Sequence, residues 1–93
     1  MISDRERLKV TSEPRKLRIE SEPFVLFVGR KFAACANVYD LKRKRDYFLI
    51  IEAQSLSIPL LELMQKEGQL TGLEVWINKK TDERTAPYEL SLT

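Results

Sequence analysis

Only one stretch of this chain, Ser55 to Gly68, carries the period of a helix. Leu56, Leu60, Leu63 and Met64 fall on a single stripe. Ser55 or Ser57 offers an N-cap oxygen, and Pro59 fits a first turn that has spare donors. Glu62 and Lys66 stand four apart in the favourable order, and Gly68 is placed to end the helix in a left-handed conformation. A helix of about three turns covers one end of a sheet but does not build a bundle. The core of these 93 residues must therefore come from strands.

The rest of the sequence supplies them. Leu8 to Thr11 reads as a short edge strand that Glu13-Pro14 ends. Leu17 and Ile19 alternate with Arg18 and Glu20, and Pro23 interrupts that ladder because it has no N–H. Phe24 to Val28 resumes as a run expected to be buried on both faces, so one bent strand or two short ones fit. Gly29-Arg30-Lys31 is a tight turn into a strand over Phe32–Leu41. Asp40 to Asp46 is a polar tip leading to Tyr47–Ile51, which makes a hairpin. After the helix, Leu73, Val75 and Ile77 alternate with Glu74, Trp76 and Asn78. A polar loop over Asn78–Pro87 precedes a last strand with Tyr88, Leu90 and Leu92.

The order from Lys16 is strand, strand, strand, helix, strand, strand: mainly β with one helix. It resembles the OB-fold, a small five- to six-stranded barrel with a helix between its third and fourth strands. The resemblance is in element order and length over residues 16–93. An SH3-like barrel or an open α+β sheet gives the same string. Residues 1–15 form an N-terminal arm or extra edge strand beside this single domain.

Composition narrows the chemistry. There is no histidine, and Cys35 is the one cysteine. That removes histidine bases, Ser-His and Cys-His nucleophiles, intramolecular disulfides and multi-cysteine zinc sites. Asp40, Asp46, Asp82 and Glu83 sit beside Lys or Arg, where surface ion pairing accounts for them. The glycine patterns that cradle phosphates are absent. Cys35, between alanines, reads as a small core hydrophobe. The expectation is a protein that is not an enzyme, has no cofactor and no metal, and is cytoplasmic, since the N-terminal residues are charged rather than apolar. The longest apolar run, Phe24 to Val28, is far too short to span a membrane.

Charge is unevenly placed. Net charge is only +2, but residues 1–46 hold 12 Lys and Arg against 7 Asp and Glu, and residues 47–93 hold 4 against 7. Such asymmetry points to nucleic acid or an acidic surface. In an OB-like barrel, Arg30 and Lys31, then Lys42, Arg43, Lys44 and Arg45, then Lys79 and Lys80 occupy the three loops joining paired strands. Those cations would follow phosphates while exposed aromatic rings stack on bases. Trp76 alternates with core residues and should face outward, towards a base, the N-terminal segment or a second copy. Tyr39 and Tyr47 flank the basic tip and are expected to pair across the hairpin. Which side of their strand is core stays open. Phe24, Phe27, Phe32, Phe48 and Tyr88 are expected to fill the core.

Two functions follow. The first is a small nucleic-acid-binding module for single-stranded DNA or RNA with little sequence preference. The second is a protein-interaction module or a subunit of a homo-oligomeric assembly, using Trp76, the unpaired edge at Leu8–Thr11 and complementary basic and acidic halves.

Overall fold

The ten residues Lys31–Asp40 form the strand around which the others are arranged. In the computed structural model, which describes residues 5–92, the elements are β1 (Glu6–Arg7), β2 (Arg15–Ile19), β3 (Phe24–Val28), β4 (Lys31–Asp40), β5 (Arg45–Ile50), α1 (Gln54–Glu67), β6 (Glu74–Lys79) and β7 (Tyr88–Leu92). Residues 1–4 of the expected arm, and Thr93, lie outside the described residues. The fold is mainly β, with one seven-stranded sheet in the order β1-β5-β4-β2-β6-β7, and β3 beside β4. The sheet does not close, because β1 and β7 end it without pairing to each other.

β4 is long enough to serve three partners. Its second half pairs with β5 on one edge, from Cys35↔Ile50 to Asp40↔Arg45. On the other edge it pairs first with β3, from Val28↔Lys31 to Phe24↔Cys35, and then with β2, from Ile19↔Val38 to Leu17↔Asp40. Between them Glu20, Ser21, Glu22 and Pro23 stand opposite only Ala36 and Asn37. The chain bulges there because Pro23 cannot donate, and Ser21 Oγ accepts the Asn37 N–H instead. Of the two sequence alternatives, two short strands is what forms.

Opposite residues in a ladder share a face, so the register divides the side chains cleanly. One face carries Leu17, Ile19, Ala36, Val38, Tyr47, Leu49, Val75 and Ile77, and packs on Leu56 and Leu60 of α1. The other face carries a smaller cluster of Leu26, Ala33 and Cys35, with Phe24, Val28, Phe48 and Ile50 against it. The chain has too few apolar residues to cover both faces evenly, so the second cluster is shallow.

Four local expectations are corrected. The edge strand is Glu6–Arg7, parallel to β5, not Leu8–Thr11. Leu8 and Val10 instead enter the main core, while Leu8 N–H reaches Phe48 O at 2.8 Å and Lys79 N–H reaches Thr11 O at 2.7 Å. That segment is tied at both ends and is not an unpaired edge. The helix begins at Gln54 after Ala53, without a side-chain cap, and Pro59 lies in its second turn. Ser55 Oγ is engaged elsewhere, accepting the Tyr88 N–H at 3.0 Å. Gly68 does end the helix left-handed, with φ 84°. Phe24–Val28 is not covered on both faces, since Val25 is 64% and Phe27 57% exposed. Phe32, 72% exposed, is likewise not core.

Candidate functional site

Those exposed rings belong to a face. Phe27 pairs with Phe32 and Val25 with Ala34 across the β3–β4 hairpin, so all four share the side that elsewhere holds the main core. The hairpin extends beyond α1, which leaves them uncovered. Ile58 and Leu61 are apolar, exposed, and lie off the stripe by which α1 packs. Between helix and hairpin runs a groove of about 290 Å³ lined by Pro23, Ala34, Ile51, Ile58, Leu61 and Met64. Lone exposed apolar residues are ordinary, but a contiguous set with a groove beside it marks a contact surface.

Sequence reasoning missed this face, although two signals for it were present. A two-residue turn at Gly29-Arg30 puts Phe27 opposite Phe32, and no residue of α1's packed stripe needs Ile58 or Leu61. The turn is secured by Gly29 at φ 65°.

The expected nucleic-acid residues do not form one surface. Arg30 and Lys31 lie at one end of β4 and the Lys42–Arg45 group at the other, about 30 Å apart at the rise of a strand. Lys31 Nζ is 3.0 Å from Glu52 Oε2, and Arg45 Nη2 is 3.0 Å from Glu6 Oε1. Tyr39 and Tyr47 are not cross-strand partners: Tyr39 stands opposite Asp46, and Val38 opposite Tyr47. The two rings therefore point to opposite faces, and Tyr47 is buried in the main core. The Arg18 guanidinium lies 5.1 Å above the Tyr39 ring while bonding both carboxylate oxygens of Glu20. Trp76 does face outward, 41% exposed, opposite Lys16 of β2 and Ser91 of β7. Its neighbours Lys16 and Glu74 pair at 3.9 Å, so the field there is mixed.

The basic tip is built by Asp40, which is buried and not in the expected surface ion pair. Its Oδ1 accepts the N–H groups of Lys42 and Arg43 at 3.0 and 2.9 Å, and its carbonyl accepts Lys44 N–H at 2.7 Å. The run of four basic residues can turn sharply because one carboxylate gathers its amides. Lys42, Arg43 and Lys44 then project with no side-chain partner among the described residues.

A second set of cations gathers where the N-terminal segment meets the β6–β7 loop. Arg7, Lys9, Lys79 and Arg84 line a groove of about 630 Å³ together with Asp82 and Tyr88. Arg7, Lys31 and Arg84 line an adjoining one of about 540 Å³ with Glu52. Lys79 Nζ is already engaged, donating to Arg84 O and lying 5.3 Å from the Tyr88 ring. Lys80 is exposed on the loop outside both. Arg7 and Arg84 could be found only from the fold, since they are 77 positions apart in sequence.

Three titratable groups are tuned by their surroundings. Hydrogen bonds from the Thr71 hydroxyl and the Leu70 and Thr71 amides hold the Glu22 carboxyl below the usual glutamate range. Asp82 is likewise lowered, by Ser12, whose N–H lies 2.7 Å from Asp82 Oδ1. Burial pushes the Cys35 thiol up, with the Glu52 charge adding to it. Among the described residues no three of Cys, Asp and Glu are grouped to hold a metal ion, and no helix is long and apolar enough to cross a membrane. Compared with protein-family models, curated proteins and solved structures, the chain finds no match in any of the three.

Proposed function

We propose that this chain is a protein-interaction module, a subunit that works by assembling through the β3–β4 and α1 face. The observation that carries the reading is the continuous exposure of Val25, Phe27, Phe32, Ile58 and Leu61 beside an apolar groove. Burying a large apolar side chain contributes about 1.5–3 kcal/mol, and association costs about 4–15 kcal/mol. Five such side chains reach that scale together, whereas an isolated exposed Trp76 does not. In this reading the chain has no catalytic step and acts in the cytoplasm.

The finer fold description belongs to the same proposal. An OB-like barrel would have β7 closing on β5. Here β1 takes the outer edge of β5, and the segment from Leu8 to Thr11 runs on from it, bonded to Phe48 of β5 at one end and to Lys79 of β6, on the side away from β7, at the other. We read the architecture as an OB-like sheet whose β5 edge is taken by its own N-terminal arm. Fold alone assigns no ligand.

A photoreactive phenylalanine analogue at position 32 tests the interaction reading in the cells that make the protein. A discrete protein adduct from position 32, absent when the analogue is placed at Lys66 on the polar side of α1, is the expected result. No adduct from position 32 overturns it.

A second reading, single-strand nucleic-acid binding, is favoured by the unpartnered Lys42, Arg43 and Lys44. Its test is a labelled single strand titrated at low and moderate salt against the wild type and a Lys42→Gln, Arg43→Gln, Lys44→Gln variant. Salt-sensitive binding lost in the variant supports it, because phosphate contacts act through counterion release.

A further inference from the structure

β3 has one free edge. Among the described residues it pairs only with β4, and its sequence, Phe-Val-Leu-Phe-Val, carries none of the charges or prolines by which exposed edges are protected. β7, whose outer edge is also unpaired in the sheet, carries the charge of Glu89.

The hydrogen-bonding phase of that edge can be read off. Ala34 O accepts Ile51 N–H, so the Ala34 peptide groups point towards β5. Its neighbours Ala33 and Cys35 then point to β3 and bond Leu26 and Phe24. The N–H and C=O groups of Val25 and Phe27 are thereby left facing off the free edge.

We propose that the partner on this face is a second copy of the chain, joined by antiparallel β3–β3 pairing about a two-fold axis at Leu26. The proposal rests on reading the apolar face as a protein interface, and it names what meets its Val25 and Phe27 side. In this register Val25 faces the partner's Phe27 as a hydrogen-bonded pair, and the symmetric pair repeats it. Leu26 faces the partner's Leu26 as the intervening non-hydrogen-bonded pair, which is the alternation an antiparallel ladder requires. The exposed side chains Val25 and Phe27 then cover their counterparts on one face.

Charge selects the same register. With the axis at Leu26, the turn that carries Arg30 comes to the end of the partner's β3 that Glu22 precedes, once at each end of the pair. Arg30 is exposed at the hairpin tip with no side-chain partner among the described residues. Glu22 is fixed at the start of β3 by its bonds to Leu70 and Thr71. An isologous contact needs such self-complementarity, a positive end meeting a negative end twice. Shifting the register by two residues one way puts Arg30 opposite the partner's Phe24 and removes the match, and shifting it the other way puts Arg30 opposite the partner's Glu20, whose carboxylate Arg18 already holds.

The test is sedimentation equilibrium of the purified chain from micromolar to millimolar concentration, with amide exchange followed residue by residue. The expected result is a monomer–dimer equilibrium in which the Val25 and Phe27 amides gain protection with concentration. Phe24, Leu26 and Val28 should be protected throughout. Val25→Lys, at an exposed position that leaves the monomer intact, should remain monomeric. Arg30→Glu should raise the dimer Kd by about five- to tenfold through repulsion from the partner's Glu22. A dimer that protects other amides, or one indifferent to Val25→Lys, overturns the proposal. A chain monomeric at all concentrations also overturns it. The same analogue at position 25, which this register sets against the partner's Phe27, then separates the two readings: a heterologous adduct leaves the interaction function standing without self-pairing, and no adduct from position 25 or 32 removes both.

Discussion

Phe27 and Phe32 meet across the β3–β4 turn with ring centroids 5.2 Å apart and planes tilted by 56°, yet both remain more than half exposed. The tilted geometry is one that aromatic pairs favour, so the rings are organised before anything covers them. A surface kept in order at the expense of solubility is better explained by a contact than by stability.

Stability measurements distinguish these explanations. Phe27→Thr or Phe32→Thr keeps strand propensity and removes only the ring pair, worth about 0.5–1.5 kcal/mol beyond burial. Urea unfolding of dilute protein should show a loss within that range for each. Leu17→Ala, in the centre of the main core, should cost about 2–5 kcal/mol. A Phe32→Thr penalty as large as that of Leu17→Ala would mean the ring is structural and the exposed face is not a docking surface.

Much of the architecture could be read from periodicity. Alternation around Leu17, Val75 and Leu90, the helical stripe from Leu56 to Met64 and the end at Gly68 all rest on local chemistry, and local chemistry is what a sequence displays. Trp76 facing outward follows from the same alternation. Phe27 and Phe32 are not legible in this way, because size and hydrophobicity suggest burial whereas burial depends on how far the hairpin extends beyond α1. The register of Tyr39 and Tyr47 differs by one residue from a symmetric pairing about the tip, which in a strand exchanges one face for the other. The candidate apolar face was the least legible part, since it joins β3, β4 and α1 through contacts that no local pattern records.

Acid should release the tie between β3 and the turn after α1. Glu22 has a folded pKa below its ordinary value of 4.5, because Thr71 and Leu70 donate hydrogen bonds to the ionised form. A depressed carboxylate contributes fully above its unfolded value and loses that contribution as pH falls through the folded one. Wild type should therefore exceed Glu22→Gln in stability at neutral pH, and the gap should narrow below pH 4.5. Urea midpoints measured at a series of pH values check this. A gap independent of pH would assign the effect of the substitution to packing rather than charge.

Cys35 is fully buried in the shallow cluster, with its thiol raised chiefly by desolvation. The thiolate is the reactive form, so a thiol reagent at neutral pH should label the native protein no faster than the protein opens. Adding denaturant past the unfolding midpoint should bring labelling to the rate of a free cysteine. Rapid labelling of the native chain would show that the β3–β4 hairpin opens locally, and the ordered edge invoked for dimer formation would then lose its basis.

Asp40 allows the turn and the ion pair to be weighed against each other. Its side chain is 1% exposed, and its Oδ2 lies 4.0 Å from Arg15 Nη1. Neither Asp40 Oδ2 nor Arg15 Nε has a hydrogen-bond partner among the described residues. Oδ1, by contrast, accepts two amide hydrogens of the basic turn. Asp40→Asn keeps that acceptor and removes the charge, while Asp40→Ala removes both. Losing one partner of a well-made buried pair costs about 3–5 kcal/mol, and losing a typical hydrogen bond about 0.5–1.5 kcal/mol. Because Arg15 is 12% exposed and meets Asp40 without a direct bond, its charge keeps some solvation and the pair should be weak. Asp40→Asn is thus expected to cost about 1 kcal/mol, and Asp40→Ala about 2–4 kcal/mol, in urea unfolding. In a double-mutant cycle, Asp40→Asn with Arg15→Gln should show coupling below about 1 kcal/mol. Equal penalties for Asn and Ala, with strong coupling to Arg15, would instead place the stabilisation in the ion pair and leave the turn to form without its carboxylate.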